Sequence, residues 1–261
     1  MQLLTMRCCV RLAVGERFRL NMKIILSLAV IAALAALEQG TTCRAAQEEG
    51  VALAIIYDTS GSMQRTVQDE KGRSSPKYVI ANRALAAVAK QIQAFASGKA
   101  GAAPRRVEAG LFVFKGDGAR MAVPFGPFDA KALEDFARDF SSPSGNTPLG
   151  NALTTASRTV MNSPLARKHV LIITDGENTA GPTPAMVMPR LKQQAEEKHT
   201  TVSVHFVAFD VDAKVFDSVK KLGATVVGAA DEKQLNTQLE YILQRKILLE
   251  EEEAPKAPQV K

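Results

Sequence analysis

Three short stretches of the sequence carry oxygen-bearing side chains at spacings that suit metal binding. The first is the segment 58–62 (DTSGS), which directly follows the apolar run 51–57. The second is the loop around Thr147, just before a helical pattern, and the third is Asp175-Gly176, at the end of the apolar run 169–174. Taken singly, each stretch is explained better as a turn or as the start of a helix than as a metal site.

Taken together, the three stretches supply two carboxylates and three hydroxyls, on Asp58, Ser60, Ser62, Thr147 and Asp175. A hard divalent cation such as Mg²⁺ binds about six oxygen atoms and accepts water among them. Without a cation, two carboxylates that meet in a partly dehydrated site repel each other. If the fold brings the stretches together, they predict a site for Mg²⁺, with Mn²⁺ or Ca²⁺ as alternatives.

The apolar patterning predicts a fold that brings them together. Short, nearly continuous apolar runs alternate with helical periodicity through about six strands, which is typical of a doubly wound α/β fold. We expect an open, mostly parallel six-stranded sheet with helices on both faces. After the turn 116–118, residues 120–124 are expected to form one antiparallel edge strand. Ligands of such folds bind beyond the carboxyl ends of the strands.

The individual elements follow from the same patterns. The predicted strands are 51–57, 107–114, 120–124, 169–174, 202–209 and 224–227, and the predicted helices are 77–95, 130–140, 148–161, 184–198, 213–222 and 232–248. Two loops lie beside the predicted site, 64–75 and 177–184. Each is either an ordinary solvated connection or a loop that gives the site its specificity.

The motif set resembles the metal-ion-dependent adhesion site of von Willebrand factor A domains. The segment 58–62 matches the Asp-x-Ser-x-Ser motif of that family, Thr147 matches its lone threonine, and Asp175 matches its strand-end aspartate, all in the family's order. The strand and helix pattern matches over residues 50–248, with the site intact.

The resemblance implies a role for each site residue. Ser60 and Ser62 would bind the metal directly, Asp58 and Asp175 would hold it mostly through water, and Thr147 would join or leave the inner shell. A partner protein would then present an Asp or Glu carboxylate to the open coordination position. The implied function is metal-dependent protein recognition, as in adhesion, without bond chemistry.

Residues 1–45 are interpreted as an export leader. Lys23 precedes a run of 14 residues, 24–37, with Ser27 as its only polar member. That length suits a signal peptide and is short for a membrane span of roughly 20 residues. We expect cleavage after Ala45, with Met22 as a possible true start and an uncleaved membrane anchor as the alternative.

The leader sets the domain organisation and the location. Residues 46–248 form the predicted von Willebrand factor A domain, and the acidic, proline-containing tail 249–261 is predicted to be disordered. We expect a bacterial protein exported to the periplasm or the cell surface, or secreted. We expect no stable membrane span after cleavage.

Composition excludes several other functions. The net charge is +6, but residues 1–45 contribute +4 of it (six Lys/Arg against two Asp/Glu), which leaves +2 for the rest. A nearly neutral domain lacks the basic face that nucleic acid requires. All three cysteines, Cys8, Cys9 and Cys43, lie in the leader, so we expect no disulfide. The histidines show no ligand spacing, and His169 and His205 are predicted to be structural.

Two alternatives to the binding module stay open. A Mg²⁺-dependent phosphatase of the haloacid dehalogenase type also has an aspartate after its first strand, but it needs a second acid two residues later. Ser60 occupies that position, and no serine lies in a Gly-x-Ser-x-Gly elbow, so we expect no enzyme. The other alternative is a von Willebrand factor A scaffold that does not use its metal.

Overall fold

A computed structural model of the chain describes residues 47–98 and 104–248. Its central element is strand β1 (Glu48–Tyr57), in which every residue from Val51 to Tyr57 is completely buried. Continuous burial of this kind requires neighbours on both edges and cover on both faces of the strand. The apolar run 51–57 therefore predicted the middle of the sheet correctly.

Five further strands complete the main sheet, and two short strands pair separately. The strands after β1 are β2 (Thr66–Gln68), β3 (Ser74–Pro76), β4 (Val107–Lys115), β5 (Gly118–Pro127), β6 (Leu165–Thr174), β7 (Ser203–Phe209) and β8 (Thr225–Ala229). The main sheet has the order β5-β4-β1-β6-β7-β8, and only β5 runs antiparallel to its neighbour. This confirms the predicted six-stranded, mostly parallel sheet with one antiparallel edge strand.

The connections between strands are mainly helical. The helices are α1 (Lys77–Ala96), α2 (Ala130–Asp139), α3 (Leu149–Met161), α4 (Pro184–Glu197), α5 (Asp217–Lys221) and α6 (Glu232–Ile242). Short 3₁₀ turns cover Gly61–Gln64 and Ala213–Phe216, and a π-helical turn, Leu243–Leu248, follows α6. Within the described part of the chain, none of these helices has the length and apolar character needed to cross a bilayer.

The core has two halves, one on each face of the sheet. Leu53 and Ile55 of β1 pack in the half that α1, α2 and α6 cover, whereas Ala54 and Ile56 pack under α3, α4 and α5. The two sets alternate along β1 because successive side chains of a strand point to opposite faces. Helices therefore cover both faces of the sheet, as the doubly wound fold predicts.

Apart from shifts in where elements begin and end, the structure differs from the predicted elements in three places. The predicted helix 213–222 is a 3₁₀ turn followed by α5, and the predicted helix 232–248 changes to a π-helical turn at Leu243. The β2–β3 hairpin was not predicted, since its two strands are three residues each and mostly polar. The leader predicted for 1–45 and the tail predicted for 249–261 lie outside the described residues.

Candidate metal centre

The register of β1 and β6 brings two of the predicted ligands to the same end of the sheet. Tyr57 of β1 lies beside Ile173 of β6, and the backbone N–H of Asp58 donates to the carbonyl oxygen of Ile173 at 3.0 Å. The chain leaves β1 at Asp58 and leaves β6 at Asp175, so both carboxylates follow neighbouring parallel strands. We call this end of the sheet the carboxyl edge.

Asp58 is completely buried and is held by local hydrogen bonds. Its Oδ1 accepts from the backbone N–H of Ser60 at 2.8 Å, and its Oδ2 accepts from the hydroxyl of Thr174 at 2.6 Å. Burial raises the pKa of Asp58 to about 6, and the nearby charge of Asp175 acts in the same direction, although the hydrogen bonds oppose them. A bound cation would offset the cost of this buried negative charge.

Two serine hydroxyls connect this aspartate turn to Asp175. The Oγ atoms of Ser60 and Ser62 are 3.0 Å apart, and the hydroxyl of Ser62 donates to Oδ1 of Asp175 at 2.6 Å. A hydroxyl that donates its proton to a carboxylate keeps lone pairs for a cation. Asp58, Ser60, Ser62 and Asp175 therefore form one continuous hydrogen-bonded group, as a shared site requires.

Thr147 reaches the same place through the backbone of its loop. The carbonyl oxygen of Gly145 accepts from the N–H of Gly61 at 3.1 Å, and the N–H of Ser144 donates to the carbonyl oxygen of Thr59 at 2.8 Å. Thr147 is buried, with 4% of its surface exposed. These two bonds place the Thr147 loop against the segment 58–62.

Thr147 is also fixed from the other side, by Thr179. Its N–H donates to Oγ1 of Thr179 at 2.8 Å, and the N–H of Thr179 donates back to the carbonyl oxygen of Thr147 at 3.0 Å. Loop 177–184 therefore holds the Thr147 loop in position, and all three predicted stretches meet at the carboxyl edge.

Two residues that the sequence did not single out complete the charge arrangement. The ammonium of Lys77, the first residue of α1, lies 3.0 Å from Oδ2 of Asp175 and 2.8 Å from Oδ2 of Asp210. Asp210 directly follows β7, so it is a third strand-end carboxylate beside Asp58 and Asp175. The position of Asp210 after an apolar strand was a signal that the sequence offered.

Loop 64–75 contains the β2–β3 hairpin, and most of its residues are exposed. The carboxylate of Asp69 accepts from the N–H groups of Lys71 and Arg73, at 2.9 and 2.8 Å, and closes the turn between β2 and β3. The N–H of Glu70 donates to Oε2 of Glu232, at the start of α6, at 3.0 Å. The hairpin is therefore tied to the body of the domain.

The donor set fits a hard divalent cation. Every candidate ligand atom at the carboxyl edge is oxygen, and two of the groups are carboxylates. Among residues 47–98 and 104–248, no group of three or more His, Cys, Asp or Glu side chains is arranged to hold a metal ion. A metal at this edge must therefore depend on the serine and threonine hydroxyls as well as the carboxylates.

Comparison with known proteins agrees with this geometry. Residues 53–177, which span all three stretches, match the model of the von Willebrand factor type A domain. No curated protein sequence matches the chain.

Several solved structures share the fold at low sequence identity. The PilB minor pilin from Streptococcus sanguinis is 15% identical (TM-score 0.56), over 75% of this chain and 60% of that one. The vWF domain of the type V pili tip protein Mfa5 from Porphyromonas gingivalis is 13% identical (TM-score 0.51), over 75% and 94%.

A third structure of this fold carries a metal. It is proximal thread matrix protein 1 from the mussel byssus, with a zinc-occupied MIDAS motif, and it is 17% identical (TM-score 0.53), over 76% of this chain and 48% of that one. The chain thus spans 60% of the length of the pilin and about half of the byssus protein. The match over residues 53–177 indicates a von Willebrand factor type A domain in this part of the chain, and the solved structures share its fold.

Proposed function

We propose that this domain is a protein-binding module that uses a divalent cation to capture a carboxylate of its partner. The cation would be held by Asp58, Ser60, Ser62, Thr147 and Asp175. The observation that carries the proposal is the hydrogen-bonded group in which Asp58 holds the backbone of Ser60 and the two serine hydroxyls lead on to Asp175. The zinc-occupied site of the byssus protein supports a divalent metal in this fold, and the oxygen-only donors favour Mg²⁺, with Mn²⁺ or Ca²⁺ as alternatives.

The residues of this site are suited to binding rather than to catalysis. When bound, the cation supplies an electrophilic position that the Asp or Glu of a partner protein fills. Ser60 and Ser62 are neutral donors, so they leave most of the cation's charge available to that carboxylate. Asp58 and Asp175 balance the charge; Asp175 orients the hydroxyl of Ser62, and Asp58 holds the backbone of Ser60.

We further propose that the domain catalyses no reaction. An aspartyl-phosphate mechanism requires an acid two residues after Asp58. That position is Ser60, whose Oγ is paired with the hydroxyl of Ser62. The carboxylate of Asp58 is itself completely buried and accepts two hydrogen bonds, which disfavours its use as a nucleophile.

We propose that the protein acts outside the bacterial cytoplasm, in the periplasm or at the cell surface. The basic and apolar composition of residues 1–45 supports export. The shared fold of the pilin and of the pili tip protein supports a role in recognition at a cell surface.

Calorimetric titration of the full chain with Mn²⁺ tests the metal site. We expect one binding event in the unmodified protein and none in Asp58→Ala or Ser60→Ala. Ser163→Ala is the matched control, because Ser163 is also a buried serine bonded to a carboxylate, that of Glu108, but lies at the amino end of β6. Unchanged Mn²⁺ binding in both site variants would refute the site.

Capture of a partner is a separate experiment. Immobilised protein is incubated with an envelope extract in Mg²⁺ or in EDTA, beside the Ser60→Ala variant. We expect retention of a specific protein only in Mg²⁺ and only by the unmodified chain. Retention that is identical in EDTA would contradict a metal-dependent partner.

A further inference from the structure

Lys77 is a buried cation beside the proposed metal site. Its side chain is 3% exposed, and its ammonium contacts one carboxylate oxygen of Asp175 and one of Asp210. Lys77 is also the first residue of α1, where the positive end of the helix dipole disfavours a cation. A buried ammonium persists only where carboxylates compensate its charge. The two aspartates provide that compensation.

The contact with Lys77 divides the two oxygens of Asp175 between different partners. Oδ1 accepts from the hydroxyl of Ser62, and Oδ2 accepts from the ammonium of Lys77. The oxygen that faces Lys77 shares its negative charge with the ammonium and is therefore the weaker ligand for a cation near the serines. Lys77 thus favours a contact through Oδ1 over a bidentate contact.

Asp210 completes the pair from the end of β7. Its backbone has φ 52°, in the left-handed region, and its N–H donates to the carbonyl oxygen of Ala229 at 2.7 Å. Its side chain is 41% exposed, whereas those of Lys77 and Asp175 are buried. Asp210 thus neutralises Lys77 from the solvent side, without contact to Ser60 or Ser62.

We propose that Lys77 and Asp210 act as a charge pair that sets the metal affinity of this site. The inference rests on the proposed function, because it requires a cation at Ser60 and Ser62. Lys77 repels the cation and occupies one oxygen of Asp175, so it weakens metal binding. Asp210 partly neutralises the positive charge of Lys77, so it strengthens metal binding. Neither residue binds the cation: Lys77 acts through its contact with Asp175, and both residues act through the electrostatic effect of their charges on the cation.

The pair also bears on the choice of partner. A cation held by neutral hydroxyls and by a single oxygen of Asp175 retains more charge for an incoming carboxylate. Lys77 therefore favours binding of an acidic ligand but lowers the affinity for the metal when no ligand is bound.

A purely structural role for the pair predicts a different outcome. Lys77 joins the ends of β6 and β7 through Asp175 and Asp210, so loss of either partner would loosen the carboxyl edge. Loosening weakens metal binding in both cases. The charge role requires effects of opposite sign, because one substitution removes a positive charge and the other a negative charge.

The test measures free Mn²⁺ by electron paramagnetic resonance in titrations of the full chain and three variants. We expect Lys77→Met to bind Mn²⁺ about tenfold more tightly and Asp210→Asn several-fold more weakly, from the Coulomb energy of a charge near a divalent ion. The double variant should return to within about threefold of the unmodified protein, because its net charge is the same. Lys90→Met, which removes an exposed lysine toward the other end of α1, is the control for net charge alone.

Urea unfolding without metal provides the second readout. Both single variants are expected to be less stable, so stability and metal affinity move in opposite directions in Lys77→Met and in the same direction in Asp210→Asn. If Lys77→Met does not fold, Lys77→Gln, which keeps a hydrogen-bond donor, is measured instead. Weaker or unchanged Mn²⁺ binding after loss of the Lys77 charge overturns the inference. Absence of Mn²⁺ binding in the unmodified chain overturns the proposed function, and this inference with it.

Discussion

Gly150 lies so close to the carbonyl oxygen of Pro182 that a β-carbon at Gly150 would overlap that oxygen. The N–H of Gly150 also donates to Oδ1 of Asn178 at 3.1 Å. Gly150 is in the first turn of α3, three residues after Thr147. The absence of a side chain at this position therefore allows loop 177–184 to pack against the helix start that carries the threonine.

Gly150→Ala should separate the two segments. We expect a loss of about 1–3 kcal/mol in the free energy of unfolding, since the backbone has to shift to admit the methyl group. We also expect weaker Mn²⁺ binding, because Thr147 depends on its bonds to Thr179 for its position. Gly126→Ala is the control, as its β-carbon would meet no atom within 4 Å. Equal metal affinity in both variants would contradict this role of loop 177–184.

A buried histidine pair should make the domain sensitive to acid. Nδ1 of His169 and Nε2 of His205 are 3.3 Å apart on neighbouring strands, and both rings are buried. Burial, as the main cause, lowers the pKa of His169 to about 3 and that of His205 to about 4. The unfolded chain takes up these protons near pH 6.5. The stability that the uncharged pair contributes is therefore fully present above about pH 6.5 and is lost as the pH falls toward 4.

Urea unfolding at pH 7 and pH 5 measures this effect. We expect a loss of about 1–2 kcal/mol for each histidine over that interval. The double variant His169→Leu/His205→Leu removes both titrating groups, so most of the loss in the free energy of unfolding between pH 7 and pH 5 should disappear. His199→Asn is the control, because His199 lies in a left-handed turn outside the pair. If the double variant loses as much free energy of unfolding between pH 7 and pH 5 as the unmodified protein, the acid sensitivity belongs to other groups.

Glu232 should stabilise the β2–β3 hairpin. Its carboxylate accepts from Arg83 at 2.7 and 2.9 Å and from the N–H of Glu70 at 3.0 Å, and the hydrogen bond from Arg83 is the main cause that lowers the pKa of Glu232. Glu232→Gln removes the charge and presents an amide nitrogen to donor groups. We expect a cost of about 1.5–3 kcal/mol, the range for hydrogen bonds to charged groups.

Limited trypsin digestion then reports on the hairpin itself. Cleavage after Lys71 and Arg73 should become faster in Glu232→Gln. Asp135→Asn removes one of the two carboxylate partners of exposed Arg138 and should change neither stability nor cleavage, because exposed ion pairs contribute little. Unchanged cleavage in Glu232→Gln would show that the hairpin is held by other contacts.

Tyr57 should stabilise the end of β1 through its hydroxyl. The hydroxyl donates to Oδ1 of Asn82 at 2.6 Å, and the ring packs edge-on against Phe136 and Phe140. Tyr57→Phe keeps the ring contacts but leaves the Asn82 oxygen without its donor. We expect a loss of about 1–2 kcal/mol by thermal or urea unfolding. Asn82→Ala in the same background should then cost less than it does alone, and full additivity would contradict the bond.

The central strands and the convergence of the three motif stretches followed from the sequence for a simple reason. An apolar run as continuous as 51–57 can only be covered on both faces, and a parallel neighbour aligns its carboxyl end with that of β1. Asp58 and Asp175 therefore had to lie at one edge once both strands were identified. Ser60 and Ser62 lie beside Asp58 because the chain turns between β1 and the 3₁₀ segment 61–64.

Other features depend on contacts that no local pattern encodes. Lys77 begins an amphipathic helix, and nothing near it in sequence indicates that its ammonium is buried between the ends of β6 and β7. The pairing of His169 with His205 depends on a strand register across 36 residues. The β2–β3 hairpin escaped prediction because its polar segment is held by Glu232, far along the chain, rather than by an apolar face.

The two outer strands of the sheet limit how this protein can assemble with others. β5 shifts register twice against β4, between Ala109 and Phe112, and carries Pro124 and Pro127. β8, at the opposite side, is five residues long. Short, irregular or proline-containing outer strands are poor templates for the addition of a strand from another chain. Addition of a strand from another chain at either side of the sheet is therefore disfavoured.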